Sequence, residues 1–290
     1  MSSLFCFGLG YSAEALARRL APLGWRIAGT ARTAEGCDAL AARGDRAVLF
    51  DGRAPAADIG AALAGVTHIL VSAGPDADGD PTLRFHARDI ASAGSVQWIG
   101  YLSTVGVYGD AGGAWVDEDT PPVPGSDRTV RRLAAERAWH AFGEDIGCTM
   151  QVFRLAGIYG PGRSAIDDLA AGAARRIVKP GQVFNRIHVD DIAAVLAAAA
   201  HGAGSKALYN VADNEPAPPQ DVVAYAASLM GCAPPPEIPF EAADLSPLGR
   251  SFYAESRRVR NRRLREDLGV ALAYPTYREG LAAILAARGR

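Results

Sequence analysis

Lysine is almost missing from this 290-residue chain. Of its 30 basic residues only Lys179 and Lys206 are lysine; the others are arginine. A lysine amine can be tuned to work as a base or nucleophile, whereas a guanidinium stays protonated up to about pH 12. Cysteine is sparse too. Cys6, Cys37, Cys148 and Cys232 stand far apart with no Cys-x-x-Cys pair, which argues against a disulfide framework and against a zinc site built on cysteine. The histidines at 68, 86, 140, 188 and 201 are equally scattered, so no metal is expected. No apolar run approaches the roughly 18 residues of a membrane span. No basic stretch precedes the first apolar run, so it reads as a strand and not as a signal peptide, and the expected location is cytoplasmic. A net charge of −2 gives no general attraction to nucleic acid or to an anionic membrane.

What is present is an ordinary apolar content, 49%, arranged as alternating strands and helices. Leu4–Phe7 is continuously apolar, as a strand buried on both faces must be. Further strands are expected at Trp25–Ala31, Arg46–Phe50, Thr67–Ser72, Gln97–Ser103 and Met150–Leu155, with helical stretches rich in Ala, Leu and Arg between them. Ala13 to Leu23 is the first helix. This alternation predicts an α/β fold: a Rossmann-type, doubly wound parallel sheet. From Ala212 the chain turns proline-rich and then strongly basic, Arg257-Arg258-Val259-Arg260-Asn261-Arg262-Arg263. We expect residues 1–163 to form the nucleotide-binding domain, with 184–212 returning to it. Residues 164–183 and 213–290 would form a smaller, mainly helical lobe. The basic run reads as a solvated helix face or docking surface before a nucleic-acid patch.

Gly8-x-Gly10-x-x-Ala13 follows the first strand and opens the first helix. The first glycine permits the tight turn, the second admits a pyrophosphate, and the small third residue lets helix and strand approach. Tyr11 and Ser12 lie inside this turn, whose helix N-terminus offers free N–H groups to phosphate. Some 20 residues on, where an NAD site carries an acid for the ribose 2′-hydroxyl, the chain reads Gly29-Thr30-Ala31-Arg32-Thr33. Thr30 and Arg32 would instead hold a 2′-phosphate, so NADP(H) is expected over NAD(H). Asp51, ending the third strand, is placed either to accept from the adenine amino group or to cap a helix.

Longer segments extend the pattern. They are Leu102-Ser103-Thr104-Val105-Gly106-Val107-Tyr108-Gly109, Phe153-Arg154-Leu155-Ala156-Gly157-Ile158-Tyr159-Gly160-Pro161-Gly162-Arg163, Asn185-Arg186-Ile187-His188-Val189-Asp190-Asp191-Ile192-Ala193 and Tyr209-Asn210-Val211-Ala212-Asp213. With the glycine turn they resemble the extended short-chain dehydrogenase/reductase superfamily, which includes NAD(P)-dependent epimerases and dehydratases. The resemblance is nearest to its atypical, YeeZ-like branch. It implies a substrate cleft between the lobes, a Ser or Thr after the fifth strand that binds the substrate oxygen, and a Tyr-x-x-x-Lys pair for proton transfer. Ser103 or Thr104 matches the first role. A helix from about Ser126, with Leu133-Ala134-Ala135-Glu136 as its expected continuation, puts Arg128 at the tyrosine position and Arg132 at the lysine position.

No Tyr-x-x-x-Lys exists anywhere in the chain. Arg132 could still hold the ribose, but Arg128 cannot exchange a proton near neutral pH. Tyr108 is the first substitute to weigh as proton donor, with a structural role favoured for it; Tyr159 and His188 are others. His188 reads better as a helix-entry residue, with Asp190-Asp191 as the cap. Ser72, Ala73, Gly74 and Gly157 complete the cofactor contacts that the resemblance implies. Asp117 and Glu118 would stand near the substrate mouth or on a solvated loop. Arg163 would favour an anionic substrate, unless it pairs with Asp167 or Asp168. The expected function is an NADP(H)-dependent oxidoreductase or epimerase-like enzyme acting on a small molecule. The alternative is a catalytically inactive NADP(H)-binding sensor or scaffold. The resemblance also allows a homodimer through the helices that follow the fifth and sixth strands.

Overall fold

The structure, a computed structural model, describes residues 2–289. In chain order the strands are β1 (Ser3–Phe7), β2 (Arg26–Ala31), β3 (Arg46–Leu49), β4 (His68–Val71), β5 (Trp98–Thr104), β6 (Trp115–Val116), β7 (Thr149–Leu155), β8 (Gly157–Tyr159), β9 (Arg176–Val178), β10 (Arg186–His188), β11 (Leu208–Val211), β12 (Glu237–Pro239) and β13 (Arg258–Val259). The helices are α1 (Tyr11–Leu20), α2 (Ala34–Ala41), α3 (Ile59–Leu63), α4 (Pro81–Ala93), α5 (Asp127–Ile146), α6 (Ala165–Ala170), α7 (Val189–Ala200), α8 (Pro219–Leu229), α9 (Pro247–Phe252), α10 (Arg262–Glu266) and α11 (Tyr277–Arg288).

Seven strands form one parallel sheet in the order β11-β7-β5-β4-β1-β2-β3. The expected Rossmann-type α/β architecture is therefore observed. Alternation along β1 shows why it is apolar throughout. Leu4 and Cys6 face the core under α1 and α7, while Phe5 and Phe7 face the core under α3, α4 and α5. Six of the seven strands were legible as apolar runs. The seventh, β11, was read only as a motif segment, because Asn210 interrupts its short apolar pattern. That side chain is fully buried and hydrogen-bonded: it accepts from the Tyr108 hydroxyl at 2.9 Å and donates to the Arg260 carbonyl at 3.2 Å.

The C-terminal portion carries helices α8 to α11 and also two strand pairings, β12 with β9 and β13 with β6. Tyr159, Ile166, Val222, Ala226, Tyr277 and Leu281 make a separate apolar cluster. Val259, Leu264 and Leu268 instead join the core of the main sheet. The basic run is divided between β13 and the start of α10 and makes no single helix face. Arg257 is buried and paired with Glu255, Arg258 donates to the Gly113 carbonyl, Arg260 lies 5.1 Å over the Trp115 ring, and Arg263 binds Asp119 at 2.6 Å. Each guanidinium serves a separate contact, so no single cationic surface results. Among the described residues no helix is long and apolar enough to cross a membrane.

Candidate cofactor and substrate cleft

The glycine turn is held from behind by β2. The Gly8 N–H donates to the Thr30 hydroxyl at 2.8 Å, and Leu9 N–H donates to the Thr30 carbonyl at 2.9 Å. Thr30 is 2% exposed. Its hydroxyl shapes the turn and does not face a ribose phosphate, which corrects the expectation for this residue. Gly8 has φ +88°, open to glycine at little cost, and a Cβ there would stand 3.2 Å from the Ala73 nitrogen. Gly10 is different. Its φ of −105° suits any residue, and a Cβ built on it meets nothing within 4 Å. Gly10 caps α1 without a side chain, so the first-turn amides keep their hydrogen-bonding capacity beside open space. Open space against a helix N-terminus is what a pyrophosphate requires, and these residues fit a dinucleotide.

Other expected cofactor residues cluster along the same rim. Ser12 and Ser72 line the cleft. Ser72 and Ala73 both donate their N–H to the Phe7 carbonyl, at 2.9 and 3.0 Å, which fixes the loop after β4. A Cβ on Gly74 would lie 2.7 Å from an Arg132 guanidinium nitrogen, so Arg132 packs directly over this loop. Arg132 also donates to the Leu102 carbonyl at 2.9 Å and to the Tyr101 hydroxyl at 3.2 Å. Arg32 is exposed, one residue past β2. The Asp51 carboxylate accepts from the Arg53 N–H at 2.9 Å and closes a turn; the nearby helix cap is Asp58. Tyr11 donates to the Pro161 carbonyl at 3.0 Å, joining α1 to the Gly160-Pro161-Gly162 turn.

The cleft itself, about 840 Å³, runs from this rim across the ends of β5 and β7 to the C-terminal portion. Thr104 lines it, and its oxygen accepts from the Gly106 N–H at 3.1 Å, which leaves the hydroxyl proton free to donate. Ser103 borders the cleft, but its hydroxyl donates to the buried Glu136 carboxylate. Of the two candidates, Thr104 is the one able to donate to a substrate oxygen. Glu136 is also bound by Arg154 at 2.7 Å, and both residues are 4% exposed. The Arg154 guanidinium covers the Tyr108 ring at 4.8 Å. Tyr108 is buried, bonded to Asn210 and absent from the cleft wall, so it cannot reach a substrate there. These contacts are those of a structural residue.

Three further expectations change. His188 itself caps α7, accepting from the Asp190 N–H at 3.2 Å, and burial lowers its pKa against the pull of Asp190. Asp191 accepts instead from Ala273 and Tyr274, at 2.7 and 3.1 Å. Glu118 does not face the substrate mouth. Its side chain is buried and accepts from the Asn210 N–H at 2.8 Å. Tyr159 lines the cleft, but its hydroxyl turns to the Thr276 carbonyl at 3.4 Å. Gly157 and Arg163 both line the cleft. Arg163 makes no ion pair among the described residues, because Asp167 pairs with Arg288.

Sequence reasoning missed four residues that the fold brings to the cleft: Arg186, Tyr253, Glu255 and Arg257. Arg186 donates to the Phe184 and Ala217 carbonyls at 3.0 and 3.1 Å. A carbonyl acceptor leaves its charge unneutralised, and burial lowers its pKa. Beside it, burial pushes the Asp213 carboxyl up to about 8, while the Glu215 N–H and the Arg186 charge pull it down. One Asp213 oxygen is buried without a partner. A carboxyl whose native pKa is raised binds more protons folded than unfolded, so its contribution to stability is lost as pH rises from about 4 to about 8. We expect Asp213→Asn to flatten that slope. Urea unfolding at about pH 5 and pH 8 measures it, with a difference approaching about 1.4 kcal/mol per pH unit. Parallel slopes would overturn the expectation.

Comparison with known proteins agrees with this geometry. The family model described as "NAD dependent epimerase/dehydratase family" matches residues 8–212, from the glycine turn to the end of β11. The chain belongs to that family. A solved structure of a conserved protein of unknown function from Silicibacter pomeroyi is 50% identical, with a TM-score of 0.89 over all of both chains. Protein YeeZ of Escherichia coli K12 is 29% identical over 249 residues, which are 81% of this chain and 86% of YeeZ. A Streptomyces protein named 3-diazoavenalumate denitrifying reductase is 30% identical over 184 residues, 57% of this chain; the match spans 58% of that protein's length. The family binds nicotinamide dinucleotides, and the residues around Gly8 and Gly10 fit that ligand.

Proposed function

We propose that this family member is an NADP(H)-dependent oxidoreductase, or an epimerase-like enzyme that returns its hydride, acting on a small anionic substrate. The observation that carries this reading is the charge of the cleft. Among the described residues Arg128, Arg132, Arg163 and Arg186 line it without an ion pair, while Arg257 is paired with the one lining carboxylate, Glu255. The Streptomyces relative's name, a reductase, favours net reduction. A scaffold that reads only cofactor would have no use for an arginine-lined cavity beyond the glycine turn.

A bound nicotinamide would supply or accept hydride. Around it, Gly10 and the α1 N-terminus would hold the pyrophosphate, Arg132 the ribose, and Arg32 the 2′-phosphate. Thr104 would donate to the substrate oxygen, and Arg163 and Arg186 would hold the substrate's anionic group. The portion from 164–183 and 213–290 would act as the substrate lobe. All four cysteines are free, which suits the cytoplasm.

Two experiments test this. Incubation with NADPH carrying deuterium at the transferable position, together with a metabolite extract, should label an anionic product detectable by mass spectrometry. Demonstrated NADPH binding without any label would overturn net reduction. Arg32→Asp should weaken NADPH by about tenfold to a hundredfold relative to NADH, since a charge-assisted hydrogen bond contributes about 1.5–3 kcal/mol. Unchanged selectivity in fluorescence titrations would remove Arg32 from the site.

A further inference from the structure

We propose that Tyr253, contributed by the C-terminal portion, is the general acid that replaces the absent tyrosine–lysine pair. The proposal rests on the reductase reading above. No histidine, lysine or cysteine lines the cleft, and serine and threonine hydroxyls are poor proton donors, so the acid must come from Tyr159, Tyr253 or Glu255. The Tyr159 hydroxyl is turned into α11. It bonds to the Thr276 carbonyl, and a Cβ on Gly280 would overlap it at 2.0 Å. Glu255 is paired with Arg257 and is therefore an acceptor. Tyr253 alone remains. Its ring is held between Phe184 at 5.2 Å and Phe240 at 5.1 Å and is 7% exposed. Among the described residues its hydroxyl makes no hydrogen bond and is not a sealed polar atom, and Tyr253 lines the cleft.

Its placement matches the task. Arg128, at the position where the resemblance puts the tyrosine, lies 5.1 Å over the ring of Phe252, the residue next to Tyr253. Glu255 reaches the start of α5, because a Cβ on Gly125 would stand 2.7 Å from its carboxylate oxygen. The segment 252–255 therefore folds over the start of α5, where the resemblance would place the usual acid. Burial raises the Tyr253 pKa, and the Arg186 charge, which also lines the cleft, offsets part of that rise. In reduction, hydride from the reduced nicotinamide reaches the carbonyl carbon and the C=O π pair moves to oxygen. The Tyr253 O–H bond breaks, its proton completes the alcohol, and water reprotonates the tyrosinate.

The test compares wild type, Tyr253→Phe and Tyr159→Phe. Deuterium transfer from labelled NADPH to the metabolite extract and to 4-carboxybenzaldehyde should fall about 10²–10⁴-fold in Tyr253→Phe. It should be unchanged in Tyr159→Phe, and NADPH affinity should be unchanged in both. The alkaline limb of the wild-type pH profile should vanish with Tyr253. Independently of turnover, ζ-¹³C-tyrosine NMR should show one signal that disappears in Tyr253→Phe and moves when NADP⁺ is added. Equal label transfer by wild type and Tyr253→Phe would overturn the role of Tyr253 and leave the reductase reading standing. A Tyr253 signal unmoved by NADP⁺ would place the phenol outside the site and overturn the proposal by itself. No transfer by wild type that binds NADPH would overturn both.

Discussion

Gly10→Thr should fold as well as the wild type and bind NADPH on the order of a hundredfold more weakly. The two halves of that expectation come from one measurement of space. A Cβ at position 10 meets no atom within 4 Å, and the backbone there is in the extended region. The fold thus does not need glycine at this point. Threonine caps helices about as well as glycine, so α1 should start unharmed. Its methyl and hydroxyl would occupy the space proposed for the pyrophosphate. A hundredfold loss corresponds to about 2.7 kcal/mol, within the usual cost of forcing extra bulk into a fitted space. Thermal unfolding and NADPH fluorescence titration read the two halves separately. If affinity survives, the glycine turn is structural. Gly8→Ala is the contrasting case: its φ of +88° makes the substitution strained, so stability should fall with or without ligand.

The largest stability effect is expected at Glu136. Glu136→Ala should destabilise the protein by about 3–5 kcal/mol, because it leaves Arg154 as an uncompensated buried cation. Arg154 already has one guanidinium nitrogen without a partner, so the carboxylate is its main compensation. Replacing both, Glu136→Leu with Arg154→Met, should cost far less than Glu136→Ala, since no charge is then stranded. Urea unfolding of the three proteins decides the matter. Additive or larger losses in the double variant would mean that packing, and not charge, sets the cost. The double variant also frees the Ser103 hydroxyl from its acceptor.

The first half of the chain was readable because β1 and β4 are short apolar runs, strands and helices alternate, and the glycine turn has fixed spacing. The cofactor rim is local in sequence, so Gly8, Gly10, Ser12 and Ser72 can be named from spacing alone, and the fold brings Ser12 and Ser72 to the cleft wall. Thr30 was misassigned for a physical reason. Residues alternate across a strand, and the same hydroxyl can serve a ribose phosphate or the turn behind it; only the 2.8 Å bond from Gly8 distinguishes them. The substrate side was much less legible. Arg186 lies on β10, whereas Tyr253 and Arg257 share a segment far along the chain that is tied back by the pairing of β13 with β6. No spacing rule connects them. The cue that was available, the arginine-rich tail, was ambiguous, because arginine serves structural ties and ligand contacts alike.

The position of β11 at one edge of the sheet has a consequence for how the protein is made. While the chain is being synthesised, β7 emerges well before the strand that will cover it, and Val152 and Phe153 lie along that bare edge. The sheet cannot be completed until Val211 has left the ribosome, nor its core until Leu264 and Leu268 have followed. An unpaired apolar strand is a template for another chain. The hazardous interval for aggregation is thus set by elongation speed over the C-terminal third, and soluble yield should respond to the rate of translation.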